Sequence, residues 1–251
     1  VKVVFVIGVG VLDGATRRGV QARNRPAEGA RSRHRKLLLH QPLPKRPPPN
    51  HDAAVVVLSD GTLLLSVGEG YTLREDAQKT TSQLGKLLRM TEYGEAPSDN
   101  PFKDAPFVYS YGHRNPQGLI VDGASETIWM TEHGPKGGDE LNRVEPGKNY
   151  GWPAITYGVD YSGAIISPFT EAPGMEQPVT YWVPSIATSG LALYTSDAIP
   201  SLTGKLLVGG LKSKSIVAVD VSSATPVLSE PFPNIEVRVR DVRALRDGSV
   251  A

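Results

Sequence analysis

Beyond residue 50 the hydrophobic positions fall in short runs, each opened by a turn signal and closed by Gly or Asp, without the spacing of an amphipathic helix. Asp60-Gly-Thr-Leu-Leu-Leu-Ser-Val-Gly68, Glu126-Thr-Ile-Trp-Met-Thr-Glu-His-Gly134, Gly204-Lys-Leu-Leu-Val-Gly-Gly210 and Ser215-Ile-Val-Ala-Val-Asp220 carry the pattern. Such runs predict strands buried on both sides and separated by Gly and Asp turns. Their uneven spacing suits repeated units joined by loops of different length. Two polar stretches, 70–84 and 157–178, are long enough to be read as functional or disordered loops. At the start, Val1-Lys-Val-Val-Phe-Val-Ile-Gly-Val-Gly-Val-Leu12 is better read as a strand than as a signal-peptide core, because no convincing small-residue cleavage site follows.

Composition supports an all-β chain. There are 26 Gly and 21 Pro among 251 residues, a length that one large β domain reaches undivided. The absence of Cys excludes a disulfide framework and Cys-based zinc sites. No apolar run approaches the roughly 18 residues of a membrane span. A formal net charge of +1 conceals an asymmetry: residues 1–50 hold 11 Lys and Arg against 2 Asp and Glu, leaving 16 against 24 for the remainder. The basic segment has no aromatic residue after Phe5 and no nucleic-acid motif, so residues 1–49 are read as an atypical part of the same fold, and no nucleic-acid partner is expected.

The chemistry concentrates in residues 131–153, Thr-Glu-His-Gly-Pro-Lys-Gly-Gly-Asp-Glu-Leu-Asn-Arg-Val-Glu-Pro-Gly-Lys-Asn-Tyr-Gly-Trp-Pro, with five Gly, three Pro and adjacent Asp139 and Glu140. Repeated bends of this kind turn carbonyls outward beside carboxylates, a surrounding that hard cations such as calcium favour. A second segment of the same character, Tyr109-Ser-Tyr-Gly-His-Arg-Asn-Pro-Gln-Gly-Leu119, precedes it. No dinucleotide fingerprint, P-loop, nucleophile elbow or zinc-spaced His pair competes with these two.

Together with Gly85-Lys-Leu-Leu-Arg-Met90, Asp99-Asn-Pro-Phe102, Pro184-Ser-Ile-Ala187 and Arg238-Val-Arg-Asp-Val242, the two segments resemble the soluble quinoprotein glucose and aldose sugar dehydrogenases, grouped with the sorbosone dehydrogenases. The resemblance covers residues 50–251. It implies a six-bladed β-propeller of four-stranded antiparallel blades, incomplete at both ends in this chain, with pyrroloquinoline quinone (PQQ) and calcium as cofactors. It further implies an aldose substrate, an external electron acceptor, a monomer or homodimer, and a periplasmic or secreted setting.

Residue by residue, the resemblance places His51 as catalytic base, although Ala53 and Ala54 stand where the family commonly shows other residues. A neutral imidazole can take a hydroxyl proton near neutral pH, whereas by itself this His reads as a turn residue beside a Pro run. Arg114 and Asn115 fall on residues that bond the quinone oxygens, and a guanidinium suits an oxygen that gains negative charge. His113 reads as structural. Gly134 and Pro135 match the carbonyls that hold the cofactor's calcium, while Glu140 and Tyr150 match a second calcium region. Lys212, Arg238 and Arg240 match cations that bind the carboxylates of PQQ, the two arginines sharing one strand face by their period of two. Trp182 and Ser185 match a ring against the cofactor plane and a hydroxyl donor.

The reaction implied is hydride transfer from C1 of an aldose to PQQ, giving the lactone. Two other classes stand beside it: a non-catalytic propeller serving as a binding module, and a calcium-dependent lactonase-type hydrolase. The latter would need convergent carboxylates and no cationic cradle.

Overall fold

The computed structural model describes residues 53–232 and 235–251, together with the backbone of 5–9 and 20–24. It contains fourteen strands and, among the described residues, two short 3-10 helices and no α-helix. In the N-terminal region β1 (Phe5–Val9) pairs antiparallel with β2 (Val20–Asn24), in line with a strand at the start of the chain.

Three four-stranded antiparallel sheets follow. The first comprises β3 (Val55–Val57), β4 (Leu63–Val67), β5 (Lys86–Met90) and β6 (Val108–Tyr111) in chain order. β7 (Pro116–Val121), β8 (Ile128–Glu132), β9 (Asp139–Val144) and β10 (Thr180–Trp182) form the second. The third contains β11 (Thr188–Leu193), β12 (Leu206–Gly210), β13 (Ile216–Asp220) and β14 (Val227–Ser229). Each of the four sequence runs became one of these strands, β4, β8, β12 and β13. Their unbroken apolar character is explained by burial on both faces: every residue of β5 and β12 is buried, as are the three central residues of β4.

The sheets are joined by shared apolar cores. Leu64 and Leu87 of the first pack with Leu119, Met130 and Val144 of the second. Leu141 of the second packs with Leu191, Leu206 and Val208 of the third. Removing this much apolar surface from water, at about 25 cal/mol per Å², is the main force holding sheet to sheet.

Because every connection inside a meander reverses direction, the β4–β5, β6–β7, β8–β9, β10–β11 and β12–β13 connections gather at one end of the sheets. Hydrogen bonds verify the gathering: Glu69 N donates to Arg114 O at 2.8 Å, His133 N to Asn115 O at 3.0 Å, and Lys212 N to Ile186 O at 2.9 Å. The long loop after β4 is pinned from beneath by Lys86, whose buried ammonium donates to the carbonyls of Asp76, Ala77 and Leu84 at 2.6–2.9 Å.

One expectation is corrected. Residues 238–240 form no strand. The segment instead attaches by Val239 N to Gly210 O and Gly190 N to Arg240 O, long bonds of 3.4 and 3.3 Å that build no ladder. Its period of two persists all the same, with Val239 packed inward and Arg238 and Arg240 both exposed.

Candidate active site

Arg114 lies in the tight connection between β6 and β7 and is 4 % exposed. Its Nη1 donates to Gly134 O at 2.7 Å and His133 O at 3.0 Å, and its guanidinium carbon stands 5.3 Å from the centre of the Trp152 ring. A planar cation over an aromatic face is favoured electrostatically and is held flat by it. Arg114 Nε and the neighbouring Asn115 Oδ1 are buried and have no partner. Buried polar atoms seldom stay unpaired, so these two are open to a further partner.

The backbone of Arg114 is fixed by Glu132, whose Oε2 accepts from Arg114 N at 2.6 Å. Glu132 Oε1 meets His113 Nδ1 at 3.2 Å and accepts from Asn142 Nδ2 at 2.9 Å. His113 in turn meets Ser110 Oγ at 2.8 Å and stacks on Tyr150 at 4.8 Å. The structural reading of His113 is thus given a mechanism: it props the loop that carries Arg114.

Facing Arg114 is the β8–β9 turn. A side chain at Gly134 would put Cβ 2.2 Å from Gly137 O, so only glycine fits. Asp139, at the start of β9 and fully buried, accepts from Gly134 N at 3.0 Å with one oxygen. With the other it accepts from Ser185 Oγ and Ala187 N, both at 2.7 Å. Ser185 is therefore tied to the same turn as Gly134, while Pro135 packs against Gly158 of the long loop.

These groups border a small cavity of about 10 Å³, lined by Arg114, Glu132, Gly134, Glu140, Tyr150 and Trp152 among others. Burial and the neighbouring Glu132 and Asp139 carboxylates push the Glu140 carboxyl well above its usual range. The Tyr150 hydroxyl donates to Arg143 O at 2.8 Å and accepts from Glu145 N at 2.9 Å, so its proton and one lone pair are taken. On the far side of Arg114, Glu69 is 2 % exposed with one unpartnered oxygen. Burial pushes its pKa up to about 7, against the opposing pull of Arg114, the Tyr71 N–H and Arg74.

The structure thus brings Arg114, Gly134, Glu140 and Tyr150 around one cavity, with Asn115 next to Arg114 in the chain but not in the lining, and ties Ser185 to the same turn through Asp139. Trp182 goes elsewhere, into the apolar cluster with Leu141, Leu191 and Val208. The ring at the cavity is Trp152. Lys212, Arg238 and Arg240 are exposed on neighbouring loops at the same end. His51 lies outside the described residues. Among those described, no group of three or more His, Cys, Asp or Glu side chains could hold a metal. Glu69 and Trp152 were given no role from sequence, and Asp139 was noted only as a carboxylate beside Glu140, not as the anchor of the turn. A carboxylate between two glycines at the end of a buried strand, Gly68-Glu-Gly70, was the available signal for Glu69.

Antiparallel four-stranded sheets with a buried cation-lined site at their common end define a propeller-like, all-β class of protein. Residues 11–251 match the Glucose / Sorbosone dehydrogenase family, and the chain belongs to it. It is 41 % identical over 214 residues to the aldose sugar dehydrogenase YliI of Escherichia coli, covering 82 % of this chain and 57 % of that protein. The solved apo-form of the soluble Escherichia coli aldose sugar dehydrogenase superposes with a TM-score of 0.82 at 36 % identity, covering 97 % of this chain and 72 % of that one. A shorter match, 37 % over 91 residues, reaches quinoprotein glucose dehydrogenase B of Acinetobacter calcoaceticus, covering 36 % of this chain and 19 % of that protein. The chain spans about half the length of the curated relatives that it matches over most of its own.

Proposed function

We propose that this chain is the site-bearing part of a PQQ-dependent aldose dehydrogenase on a six-bladed propeller, oxidising the sugar at C1 to the lactone. The observation that carries this reading is Arg114: a buried guanidinium laid over Trp152, with an unspent Nε beside an unspent Asn115 Oδ1. The unspent Arg114 N–H is a donor that a carboxylate or quinone oxygen fits, and the Asn115 amide oxygen is open to an N–H or O–H. When bound, PQQ would supply the two-electron oxidant.

The residues of the chain do the rest. Arg114 Nη1, locked on the Gly134 carbonyl, presents a permanent positive charge in a nearly dry site, where it stabilises negative charge far better than in water. Asn115 would donate to a quinone oxygen from its amide nitrogen, while its free amide oxygen can only accept from an N–H or O–H. Lys212, Arg238 and Arg240, all exposed, would meet the carboxylates. His51 takes the hydroxyl proton of the sugar. Trp182 is left out of this set because its ring is spent on the core.

Calcium fits less well on protein donors alone. Gly134 O already accepts from a guanidinium, and calcium wants six to eight oxygens. Gly134 and Pro135 can hold the cofactor's calcium only if the bound cofactor contributes oxygens, so that calcium should bind after PQQ, while Glu140 and Tyr150 belong to the separate second calcium region. An external electron acceptor and a periplasmic setting accompany the reading. Among the described residues no helix is long and apolar enough to cross a membrane.

The test is to add PQQ and calcium to the purified chain and follow dye reduction with glucose and other aldoses. Saturable PQQ binding with turnover is expected. Binding without turnover would favour a non-catalytic binding module, and no saturable PQQ binding would remove the quinoprotein reading.

A further inference from the structure

Two exposed tyrosines at the rim of the site are placed with more care than solvent-facing residues require. Tyr71, 43 % exposed, follows Glu69 and Gly70 on the β4–β5 loop; Tyr161, 55 % exposed, sits at the tip of the 160–164 turn in the long loop before β10. Their rings stack across the two loops, with centroids 6.2 Å apart and planes 27° from parallel. At that separation the rings are displaced sideways, so each keeps part of a face open.

The backbone at Tyr71 has φ +68, a left-handed conformation that aromatic residues rarely adopt. Such outliers persist where the surroundings over-determine them, and here Tyr71 is the middle residue of a tight turn closed by Thr72 N donating to Gly70 O at 2.8 Å. Across the rim, Asp160 accepts from Ser162 N and Ser162 Oγ at 2.9 and 2.7 Å, and Asp160 N donates to Ala164 O at 2.9 Å, which fixes the turn that offers Tyr161. Both loops lie over the candidate site. Glu69 N bonds Arg114 O, Lys136 N bonds Val159 O, and the charge of Asp160 is felt by both Arg74 and Arg114.

We infer that Tyr71 and Tyr161 form a stacking platform for an outer sugar ring, so that the preferred substrates are neutral aldo-oligosaccharides whose reducing-end ring enters the Arg114 site. The inference rests on the aldose reading above and deepens it. A pyranose presents polarised C–H bonds on its faces and hydroxyls around its edge. Open aromatic faces, electron-rich at their centres, receive the first. Arg74, Glu75 and Asp160, all on the same two loops, can bond the second, as donors and acceptors alternating in sign. A large apolar partner surface would not be bordered by this mixture of charges.

The experiment compares glucose, maltose and maltotriose, both by calorimetric or NMR titration of the full chain and by kcat and KM in the PQQ-loaded dye assay. The parent chain should bind maltotriose about three- to tenfold more tightly than glucose, the range expected of aromatic stacking. Tyr161→Ala should abolish that difference while leaving kcat and KM for glucose unchanged, and Tyr161→Phe should retain it. Because Tyr161 is exposed on a turn, neither change threatens the core. Equal affinity for glucose and maltotriose in the parent, an unchanged ratio in Tyr161→Ala, or no sugar binding at all would each overturn the platform. Glucose oxidation without oligosaccharide preference would overturn the platform and leave the aldose reading standing. A Tyr161-dependent preference in titration without any oxidation would do the reverse.

Discussion

Ionising the Glu69 carboxyl inside the protein forfeits hydration that the nearby Arg114 and Arg74 guanidinia only partly replace, and its pKa accordingly rises from the usual carboxylate value to about 7. The sign of the consequence follows. Between about pH 4.5 and 7 the unfolded chain has released this proton and the folded chain still holds it, so stability falls as pH rises through that window. Glu69→Gln should remove a decline on the order of 2–3 kcal/mol between those pH values, checked by urea unfolding at a series of pH values. The same titration should act on ligand binding. Above pH 7 the Glu69 carboxylate offsets the Arg114 charge, so PQQ affinity should drop as pH passes 7 in the parent chain and stay flat in Glu69→Gln. Arg114→Lys keeps the charge and loses the planar fork, and PQQ affinity should fall about tenfold or more, read by fluorescence quenching. The importance of Arg114 was legible in Gly-His-Arg-Asn-Pro, whereas that of Glu69 was not, since a carboxylate flanked by glycines reads locally as a turn. Trp152 and Trp182 show the limit more sharply. Trp152 directly precedes Pro153 and Trp182 stands two residues before Pro184, and only tertiary packing decides that one ring lies under Arg114 and the other in the core.

At the scale of elements, the strands were readable because burial on both faces writes itself as an unbroken apolar run, as in Leu206-Leu-Val-Gly-Gly210. Segment 238–242 misled because alternation alone cannot supply a partner edge, and here the backbone finds only isolated bonds to Gly190 and Gly210. Loops are positioned by buried polar side chains that pattern reading does not reveal. Asp139 is the strongest case, since one carboxylate serves Gly134 N, Ser185 Oγ and Ala187 N and so couples the β8–β9 turn to the β10–β11 connection. Asp139→Ala leaves three donors without their acceptor. It should cost about 3 kcal/mol or more of stability and lower PQQ affinity through Gly134, whereas substitution of the exposed Asp247 should cost far less. Chemical denaturation and PQQ titration of the two variants check the contrast.

For the whole molecule, the question is whether three sheets behave as one cooperative unit. Two apolar clusters say that they do, because each takes residues from adjacent sheets: Leu64 and Leu87 with Met130 and Val144, then Leu141 and Trp182 with Leu191 and Leu206. The middle sheet is common to both. Its loops and strands also carry all three tryptophans, Trp129, Trp152 and Trp182, so tryptophan fluorescence reports the middle sheet while far-UV circular dichroism reports every sheet. Leu64 belongs to the first sheet and is fully buried, and Leu64→Ala should cost about 2–5 kcal/mol through lost burial and a residual cavity. If the shared cores couple the sheets, that loss, inflicted on the first, must lower the midpoint seen by tryptophan in the second by the same amount as the midpoint seen by circular dichroism. A fall of several degrees in both, at about 2–4 °C per kcal/mol, is the expected result. A fluorescence midpoint that stayed in place while the dichroism curve split would mean that the sheets unfold separately and that the cores between them are too weak to hold the Arg114 site as one rigid frame.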